Sequence, residues 1–339
     1  MTAVNVINGT YRNQPINDVV FTLVKGYTEG KKGGFITVKS SGYFGDGTPD
    51  RIRIRVESIH DFEITNRAPA NLVDSPETTI NGESDEDIMN RIEERFDILH
   101  EMTKAAINND VRAMIVVGPP GVGKSYGVQK ELEKSSMFDL IAERPLKYNI
   151  VKGMLTPIGL YSVMYKYSDE GNVIVFDDSD GIFGDELSLN LLKAALDSGK
   201  RRRICWNSES YHLRREGIPD SFDFKGSIIF ITNLNMEHVK SKKLQDHLEA
   251  LRSRCHYLDL TMNTTREKFL RIKQIHRTGD LFQDYDFDDE QADDIIEFME
   301  QNKGSLREIS LRMALKIADL TLVKPDNWRA YARATCMVN

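Results

Sequence analysis

The chain has 339 residues, of which 40% are hydrophobic and 29% are charged, and its formal net charge at pH 7 is −7. This composition supports a globular core and two or three domains, and the acidic balance argues against wholesale coating of nucleic acid. No apolar run approaches the roughly 18 residues that a membrane-spanning helix needs. The three cysteines are widely spaced and indicate neither a disulfide framework nor a zinc site, so we expect a cytoplasmic protein.

The first part of the chain, residues 1–66, alternates short β-rich runs with glycine-rich turns and predicts a small β-barrel-like N-terminal domain. In one run, Arg51, Arg53 and Arg55 alternate with aliphatic residues, which places three cations on one face of a strand. A binding face and a plain solvent-facing side both remain open for them. Residues 67–84 are polar and rich in turn residues, which predicts a linker. The β-rich runs are Val19–Val24, Phe35–Val38 and Arg51–Val56.

The remainder of the chain changes from an alternating to a purely helical pattern. A helix is predicted from about residue 86, where Ser84 and Asp87 match a capping box. From Val111, short apolar strands alternate with amphipathic helices, which predicts the α/β class with a parallel sheet flanked by helices over residues 85–260. Residues 261–339 predict a helical domain with a C-terminal tail. Its helical segments are expected near 264–276, 288–302 and 305–322.

A phosphate-binding loop is the strongest local signal. The segment Gly118–Ser125 matches G-x-x-x-x-G-K-[ST], and it follows the apolar strand Ala113–Val117 and precedes a helix. Its glycines allow backbone N–H groups to surround a phosphate, Lys124 neutralises phosphate charge and Ser125 is a Mg²⁺ ligand. The sequence therefore predicts ATP and Mg²⁺ as cofactors. The residues expected to hold ATP are Gly118, Pro119, Pro120, Gly121, Val122, Gly123, Lys124, Ser125 and Tyr126.

A second acidic element resembles a Walker B motif. The apolar run from residue 172 to 176 ends in Asp177 and Asp178. We predict that Asp177 holds Mg²⁺ together with Ser125. Asp178 stands where this class of enzyme usually has a glutamate that polarises the attacking water, so its carboxylate is one methylene shorter. Asp178 acting from a closer backbone, Asp180 in its place and slow hydrolysis all remain open.

Further motifs resemble those of AAA+ ATPases, in an order that covers about residues 86–322. Ser227–Asn233 resembles the sensor 1 strand, which implies that Asn233 orients the lytic water from a strand between the two phosphate-binding strands. Ser253-Arg254-Cys255 resembles the SRC motif of clamp-loader subunits, which implies that Arg254 reaches the ATP of a neighbouring subunit. Arg252 is the second candidate for this arginine finger.

The lid of the same family is also recognisable, because the segment that begins with Gly304-Ser-Leu-Arg307 is similar to the sensor 2 helix. The resemblance implies that Arg307 lies early in a lid helix and contacts the nucleotide in cis. The chain also looks like AAA+ ATPases encoded by tailed phages, which would place it in the host cytoplasm. A shared site implies a ring or spiral homo-oligomer, most commonly a hexamer in this family.

The target of such a motor is less clearly indicated by the sequence. The loop Lys152–Leu155 corresponds to the channel-facing loop of AAA+ rings but lacks the aromatic pattern of protein unfoldases. A basic run, followed by Trp206 and Tyr211, indicates either DNA contact or a subunit interface. The run consists of Lys200, Arg201, Arg202 and Arg203.

Together these features predict a Mg-ATP-hydrolysing oligomeric motor that remodels or loads a macromolecule, with DNA or a DNA-bound protein complex as the leading target. The alternatives are a protein-remodelling unfoldase and a slowly hydrolysing assembly switch. We expect the N-terminal domain to recruit the target. Both a nucleic acid and a protein remain open as the target of this domain.

Overall fold

The computed structural model describes residues 3–7, 9–11, 14–16, 19–30, 33–39, 51–56, 58, 61–65, 83–234 and 242–338. Most of the predicted linker, residues 67–82, lies outside this set. Contacts divide the chain into two compact units, Met1–Glu83 and Ser84–Asn339. No helix within the described ranges is long and apolar enough to cross a membrane.

The described residues of the N-terminal unit form an antiparallel sheet of seven strands, ordered β3-β2-β6-β5-β4-β1-β7. Apolar side chains alternate with polar ones, so one face of the sheet is buried. In β6, for example, Ile52, Ile54 and Val56 are buried while the intervening arginines are exposed. The predicted β-rich domain is confirmed. The strands are β1 Ala3–Val6, β2 Gly9–Tyr11, β3 Gln14–Ile16, β4 Val19–Gly30, β5 Gly33–Lys39, β6 Arg51–Val56 and β7 Phe62–Thr65.

The second unit begins with helix α1, Asp85–Ile107. Ser84 caps it with the predicted box, because the Ser84 side chain accepts from the backbone of Asp87 and the Asp87 side chain accepts in return. This reciprocal bonding satisfies N–H groups that would otherwise lack partners at the helix start. The buried face of α1 includes Ile88, Ile92, Phe96 and Leu99.

A parallel sheet of five strands forms the centre of this unit, in the order β14-β8-β13-β10-β9. Alternate residues of β8 point into two different cores, Ile115 with one set of helices and Met114 with the other. Both faces are therefore covered, which explains why the three central strands β8, β13 and β10 are apolar along most of their length rather than alternating. The strands are β8 Ala113–Val117, β9 Tyr148–Lys152, β10 Val173–Asp177, β13 Ser227–Thr232 and β14 His256–Asp259.

Among the described residues, seven helices and one hairpin connect these strands. Helices α3, α5 and α7 are short, and the hairpin of β11 and β12 is antiparallel. The helices are α2 Lys124–Ser135, α3 Met137–Ile141, α4 Pro157–Lys166, α5 Gly181–Gly184, α6 Glu186–Ala195, α7 Tyr211–Arg215 and α8 Lys242–Arg252, and the hairpin strands are β11 Arg203–Cys205 and β12 Ser221–Asp223. The predicted α/β class, with a parallel sheet between helices, is confirmed.

The C-terminal part is helical and has its own apolar core. It contains α9 Thr265–Arg277, α10 Asp289–Gln301, α11 Leu311–Val323 and α12 Trp328–Cys336, with a 3-10 turn at Pro325–Asn327. The helix expected from residue 305 begins only at Leu311, because Ser310 is its N-cap and accepts a hydrogen bond from the backbone of Met313. Helix α12 was not predicted from the sequence.

Candidate functional site

The P-loop lies at the carboxyl end of β8 and runs into α2. Gly118, Gly121 and Gly123 have φ angles of 157°, 72° and 100°. Residues other than glycine rarely adopt this region of backbone conformation. Because Gly123 is the N-cap of α2, the positive end of the helix dipole lies at the loop. This local geometry is that of an anion-binding loop.

Other residues of the motif differ in what they offer to a ligand. The side chain of Val122 is 3% exposed and lies in the core, which leaves its main chain for contacts with phosphate. Tyr126 is 45% exposed, and its hydroxyl accepts a hydrogen bond from Gln283 Nε2 at 3.1 Å. The hydroxyl of Tyr126 therefore connects α2 to the helical lid.

Lys124 lies in the first turn of α2 and is only 5% exposed. Its ammonium donates to Gly118 O at 2.8 Å, to Pro119 O at 2.8 Å and to Asn233 Oδ1 at 2.7 Å. An ammonium has three donors, so all are used and an arriving phosphate oxygen must replace one partner. Burial lowers the pKa of Lys124 from 10.5 to about 8, although two carboxylates at the end of β10 oppose the shift. A bound anion favours the charged form.

Ser125 and Asp177 form the candidate metal pair. Ser125 Oγ donates to Asp177 Oδ1 at 2.8 Å, and Asp177 is 4% exposed at the end of β10. A hydroxyl and a carboxylate are the oxygen ligands that Mg²⁺ prefers, so the donor set fits this ion. Asp177 Oδ2 lies 3.4 Å from the Nζ of Lys152, which is the cross-strand neighbour of Asp177 on β9. This contact depends on strand register, so the local sequence carries no signal for it.

Asn233 connects Lys124 to Asp178. It follows β13, which lies between β8 and β10, and its Nδ2 donates to Asp178 Oδ1 at 2.8 Å. Asp178 has a φ of 51°, a left-handed conformation that aspartate tolerates better than most residues. Burial raises the pKa of Asp180, which hydrogen-bonds to Thr232. Of the two candidate carboxylates, Asp178 is therefore the one in the network of Lys124.

Helix α11 of the lid begins against the P-loop. The Leu311 N–H donates to Gly121 O at 2.8 Å. A Cβ added at Gly121 would lie 2.7 Å from Ser310 Cβ and 3.7 Å from Arg312 Cβ. The charge of Arg312 also contributes to the lowered pKa of Lys124, after the larger effect of burial. Arg312 is thus the lid arginine that lies at the phosphate-binding loop.

Arg307 is placed elsewhere, and the expectation that it lies early in a lid helix is wrong. It precedes Ser310, the N-cap of α11, and its backbone N–H and its Nε donate to Cys336 O at 2.9 Å and Met337 O at 3.0 Å. These bonds fix Arg307 to the C-terminal segment. The sequence carried a signal for Arg312, because Ser310 is a preferred N-cap residue directly before an apolar run and so puts Arg312 in the first turn.

Arg254 lies at the opposite end of the sheet from its own P-loop. It lies two residues before His256, the first residue of β14, and His256 pairs in parallel with Met114 near the start of β8. The P-loop begins at Gly118, four residues beyond Met114 at the other end of β8, which is about 13 Å at the rise of a β-strand. A guanidinium in this position cannot contact the phosphates bound by the same copy.

A surface pocket of about 380 Å³ surrounds Arg254. Arg254 Nη1 donates to Ala250 O at 2.7 Å, and Arg112 Nη1 donates to two backbone carbonyls at 3.1 and 3.3 Å. The fallback candidate Arg252 instead has its guanidinium 4.3 Å from the ring centroid of Tyr257. The pocket is lined by Arg112, Leu196, Ser198, Ser253 and Arg254.

Most of the basic run at residues 200–203 is engaged within the chain. Arg202 is 7% exposed and donates to Ala195 O and Gly226 O at 3.2 and 3.0 Å, so its guanidinium is unavailable to DNA. Arg201 pairs with Asp223 at 2.6 Å, and Arg203 donates to a serine hydroxyl of β12. The expectation of an accessible four-residue patch is therefore wrong for Arg202, and Lys200 is an exposed cation of the run.

Trp206 and Tyr211, which follow this run, differ sharply in exposure. Trp206 packs against the core and tilts against Tyr161 at a centroid distance of 5.6 Å. Tyr211 is 82% exposed. Of the two rings, Tyr211 therefore has the face that a ligand can reach.

The chain is similar in sequence to a phage protein. No family model matches the chain. It is 37% identical, over 252 residues, to the uncharacterized 36.7 kDa protein in the nrdC-mobD intergenic region of Enterobacteria phage T4, and the match covers 74% of this chain and 76% of the phage protein. That similarity is extensive enough to define a family.

The chain also matches solved structures, at low TM-scores. Hsp104 of S. cerevisiae, in an extended complex with casein, is 11% identical with a TM-score of 0.39, and the match covers 69% of this chain but only 39% of Hsp104. Domain III of DnaA from Thermotoga maritima is 8% identical with a TM-score of 0.38 and coverages of 69% and 84%. The ADP form of ORC2 from Aeropyrum pernix is 10% identical with a TM-score of 0.38 and coverages of 73% and 68%.

The order of the strands and the motifs identifies the fold from the chain itself. The strand ending at Asn233 lies between the P-loop strand and the strand ending at Asp177, as the AAA+ resemblance implied. The lid helix that follows contacts the P-loop through Gly121. The chain therefore has an AAA+ fold, and it belongs to the same family as the uncharacterized phage T4 protein.

Proposed function

We propose that the chain binds ATP with Mg²⁺, hydrolyses ATP within a homo-oligomer, and uses the cycle to remodel or load DNA or a DNA-bound protein complex. The observation that carries this proposal is the distribution of the charged residues. Lys124, Asp178 and Asn233 form one network beside the P-loop, whereas Arg254 lies at the far end of the sheet.

Residues of one copy hold the nucleotide and the water. The P-loop backbone and Lys124 bind the phosphates, and Ser125 with Asp177 would hold Mg²⁺, which neutralises phosphate charge when bound. Asp178, oriented by Asn233, accepts the proton of the attacking water. Arg312 contributes the lid's cation at the phosphates, a role that the sequence had assigned to Arg307.

A second copy completes the site. Arg254, out of reach of its own P-loop, would contact the transferring phosphoryl group of the neighbour, where such an arginine contributes roughly 10³–10⁵ in rate. A monomer accordingly binds ATP but hydrolyses it poorly. Such sharing of residues between copies favours a closed ring, and a hexamer is the proposed assembly.

The test is ATPase rate against protein concentration for wild type, Arg254→Ala, Lys124→Ala and the control Arg252→Ala. Wild-type and control activity should rise cooperatively with concentration, while Arg254→Ala should keep ATP affinity and lose most turnover. Mixing Arg254→Ala with Lys124→Ala should restore partial activity, since one copy supplies the P-loop and the other supplies the arginine. Activity that is independent of both concentration and Arg254 would refute the shared site.

A polypeptide is the second candidate target, favoured by one observation. Met154, in the loop between β9 and α4, is 96% exposed, and the preceding Gly153 has a φ of 84°. An exposed thioether chain grips irregular apolar segments well. Stimulation of the ATPase by an unfolded protein, with DNA ineffective and Met154→Ser abolishing the stimulation, would select this target instead.

A further inference from the structure

The outer face of the N-terminal sheet carries a compact group of cations. Along β6, Arg51, Arg53 and Arg55 are exposed while the aliphatic residues between them are buried. Along β5, Lys39 lies on the same face, because it pairs directly with Arg51. On β4, Lys25 joins this face opposite Thr37, which in turn pairs with Arg53.

These side chains form three cross-strand rows over β4, β5 and β6. Strands are about 5 Å apart and alternate residues on a strand about 7 Å apart, so the three arginines extend over roughly 14 Å. Phe35 lies opposite Arg55, and the guanidinium of Arg53 is 4.9 Å from the centroid of the Phe35 ring. The face therefore combines cations with a half-buried aromatic ring.

Within the described part of the unit, none of these rows contains an acidic residue, although Glu29 is exposed on β4 and pairs with Gly34, the neighbour of Phe35. Asp61 accepts a hydrogen bond from Ser58 N at 2.6 Å, and Glu63 lies on β7, where Asn5 donates to it. Asp46, Asp50 and Glu57, which are near this strand in the sequence, lie outside the described residues. The chain as a whole is acidic, with a net charge of −7, so this cluster is a local departure.

We propose that the outer face of β4, β5 and β6 binds a single-stranded nucleic acid. Rows of cations at strand spacing follow a flexible phosphate backbone, and Phe35 with its stacked Arg53 provides a surface for an unpaired base. A duplex keeps its bases stacked inside and gains little from the ring. The surface supplies target binding for the proposed function, yet this binding needs no ATP.

The test is fluorescence anisotropy with the full-length protein, without nucleotide, and an oligothymidylate probe of about 20 nucleotides. The triple variant Arg51→Gln, Arg53→Gln, Arg55→Gln should lose affinity at least tenfold at about 50 mM salt. The slope of log affinity against log salt should fall by about 2, because each phosphate that an arginine no longer neutralises removes about 0.7 from the slope. Phe35→Leu should weaken binding of the single strand and leave the matched duplex unaffected.

Two matched variants separate the local cluster from net charge. The triple lysine variant of the same arginines should keep its affinity within a fewfold, because phosphate contacts need charge rather than a guanidinium. Lys134→Gln, Lys324→Gln, Arg333→Gln removes the same charge from exposed positions in the other unit and should leave affinity unchanged. Circular dichroism checks that each variant is folded.

Several results would overturn the proposal. Affinity of the glutamine variant equal to that of wild type, or an equal loss in the Lys134 control variant, would show that the face is not the site. Stronger binding of a polyglutamate probe than of oligothymidylate would assign the face to an acidic polypeptide. Because ATP is absent throughout, an inactive ATPase leaves the outcome unaffected, and failed DNA binding leaves the shared ATPase site intact.

Discussion

Replacement of Arg202 by methionine measures whether the basic run serves the fold or a ligand. Methionine keeps the apolar stem but leaves the carbonyls of Ala195 and Gly226 without their donors, at about 1–3 kcal/mol each. The guanidinium also lies 5.2 Å from the ring centroid of Phe224, a contact worth roughly 1 kcal/mol. These losses together amount to about 5 kcal/mol.

An opposing gain reduces this value. Burial, with a smaller effect of the Arg112 charge, lowers the pKa of Arg202 from 12.5 to about 10. The change corresponds to about 3 kcal/mol that burial costs the charged form, and the substitution removes that cost. We therefore expect Arg202→Met to lower the free energy of unfolding by about 2 kcal/mol.

The assay is urea unfolding followed by tryptophan fluorescence, with Arg201→Met as the matched control. Arg201 is exposed and pairs with Asp223, so its loss should change stability by less than about 1 kcal/mol. Neither variant should change oligothymidylate affinity more than a fewfold. Wild-type stability in Arg202→Met together with a large loss of nucleic-acid affinity would refute the structural role.

Three further predictions concern the nucleotide site and the surroundings of Arg254. Arg312→Ala should weaken ATP binding or slow hydrolysis at least tenfold, whereas Arg307→Ala should leave the ATPase unchanged, and steady-state kinetics would contradict this if the order were reversed. Burial raises the pKa of Cys255 to about 12, so iodoacetamide near pH 8 should label the exposed Cys205 first, which peptide mass mapping of the native protein checks. Burial lowers the pKa of His100. As the pH falls through 6.5, the unfolded state therefore takes up a proton on this histidine before the folded state does. The free energy of unfolding should fall more steeply in this pH range for wild type than for His100→Gln, as urea unfolding at several pH values would measure.

Strand periodicity made the central sheet and its edge predictable from the sequence. Buried parallel strands read as continuous apolar runs, and the carboxyl ends of such strands meet at one edge of the sheet. The polar residues that end these strands, Asp177 and Asn233, therefore had to lie near Lys124. Local capping chemistry similarly predicted the start of α1 at Ser84.

Long-range partners were not predictable in the same way. The bonds that bury Arg202 come from Ala195 and Gly226, and no local pattern relates an arginine to those carbonyls. Arg307 does not lie early in a lid helix, because its partners are Cys336 in α12 and Met337 beyond it, a region whose docking has no sequence signature. Lys152 meets Asp177 only through the register of β9 on β10.

The contact between Gly121 and the start of α11 couples movement of the lid to movement of the P-loop. A side chain at position 121 would collide with Ser310, and the loop's carbonyl there is already bonded to Leu311. Any swing of the lid therefore has to break that bond and release the loop that surrounds the phosphates. In the proposed ATPase cycle, release of the nucleotide after hydrolysis would therefore be coupled to opening of the lid, and a lid that could not open would retain the product however fast the phosphate bond is cleaved.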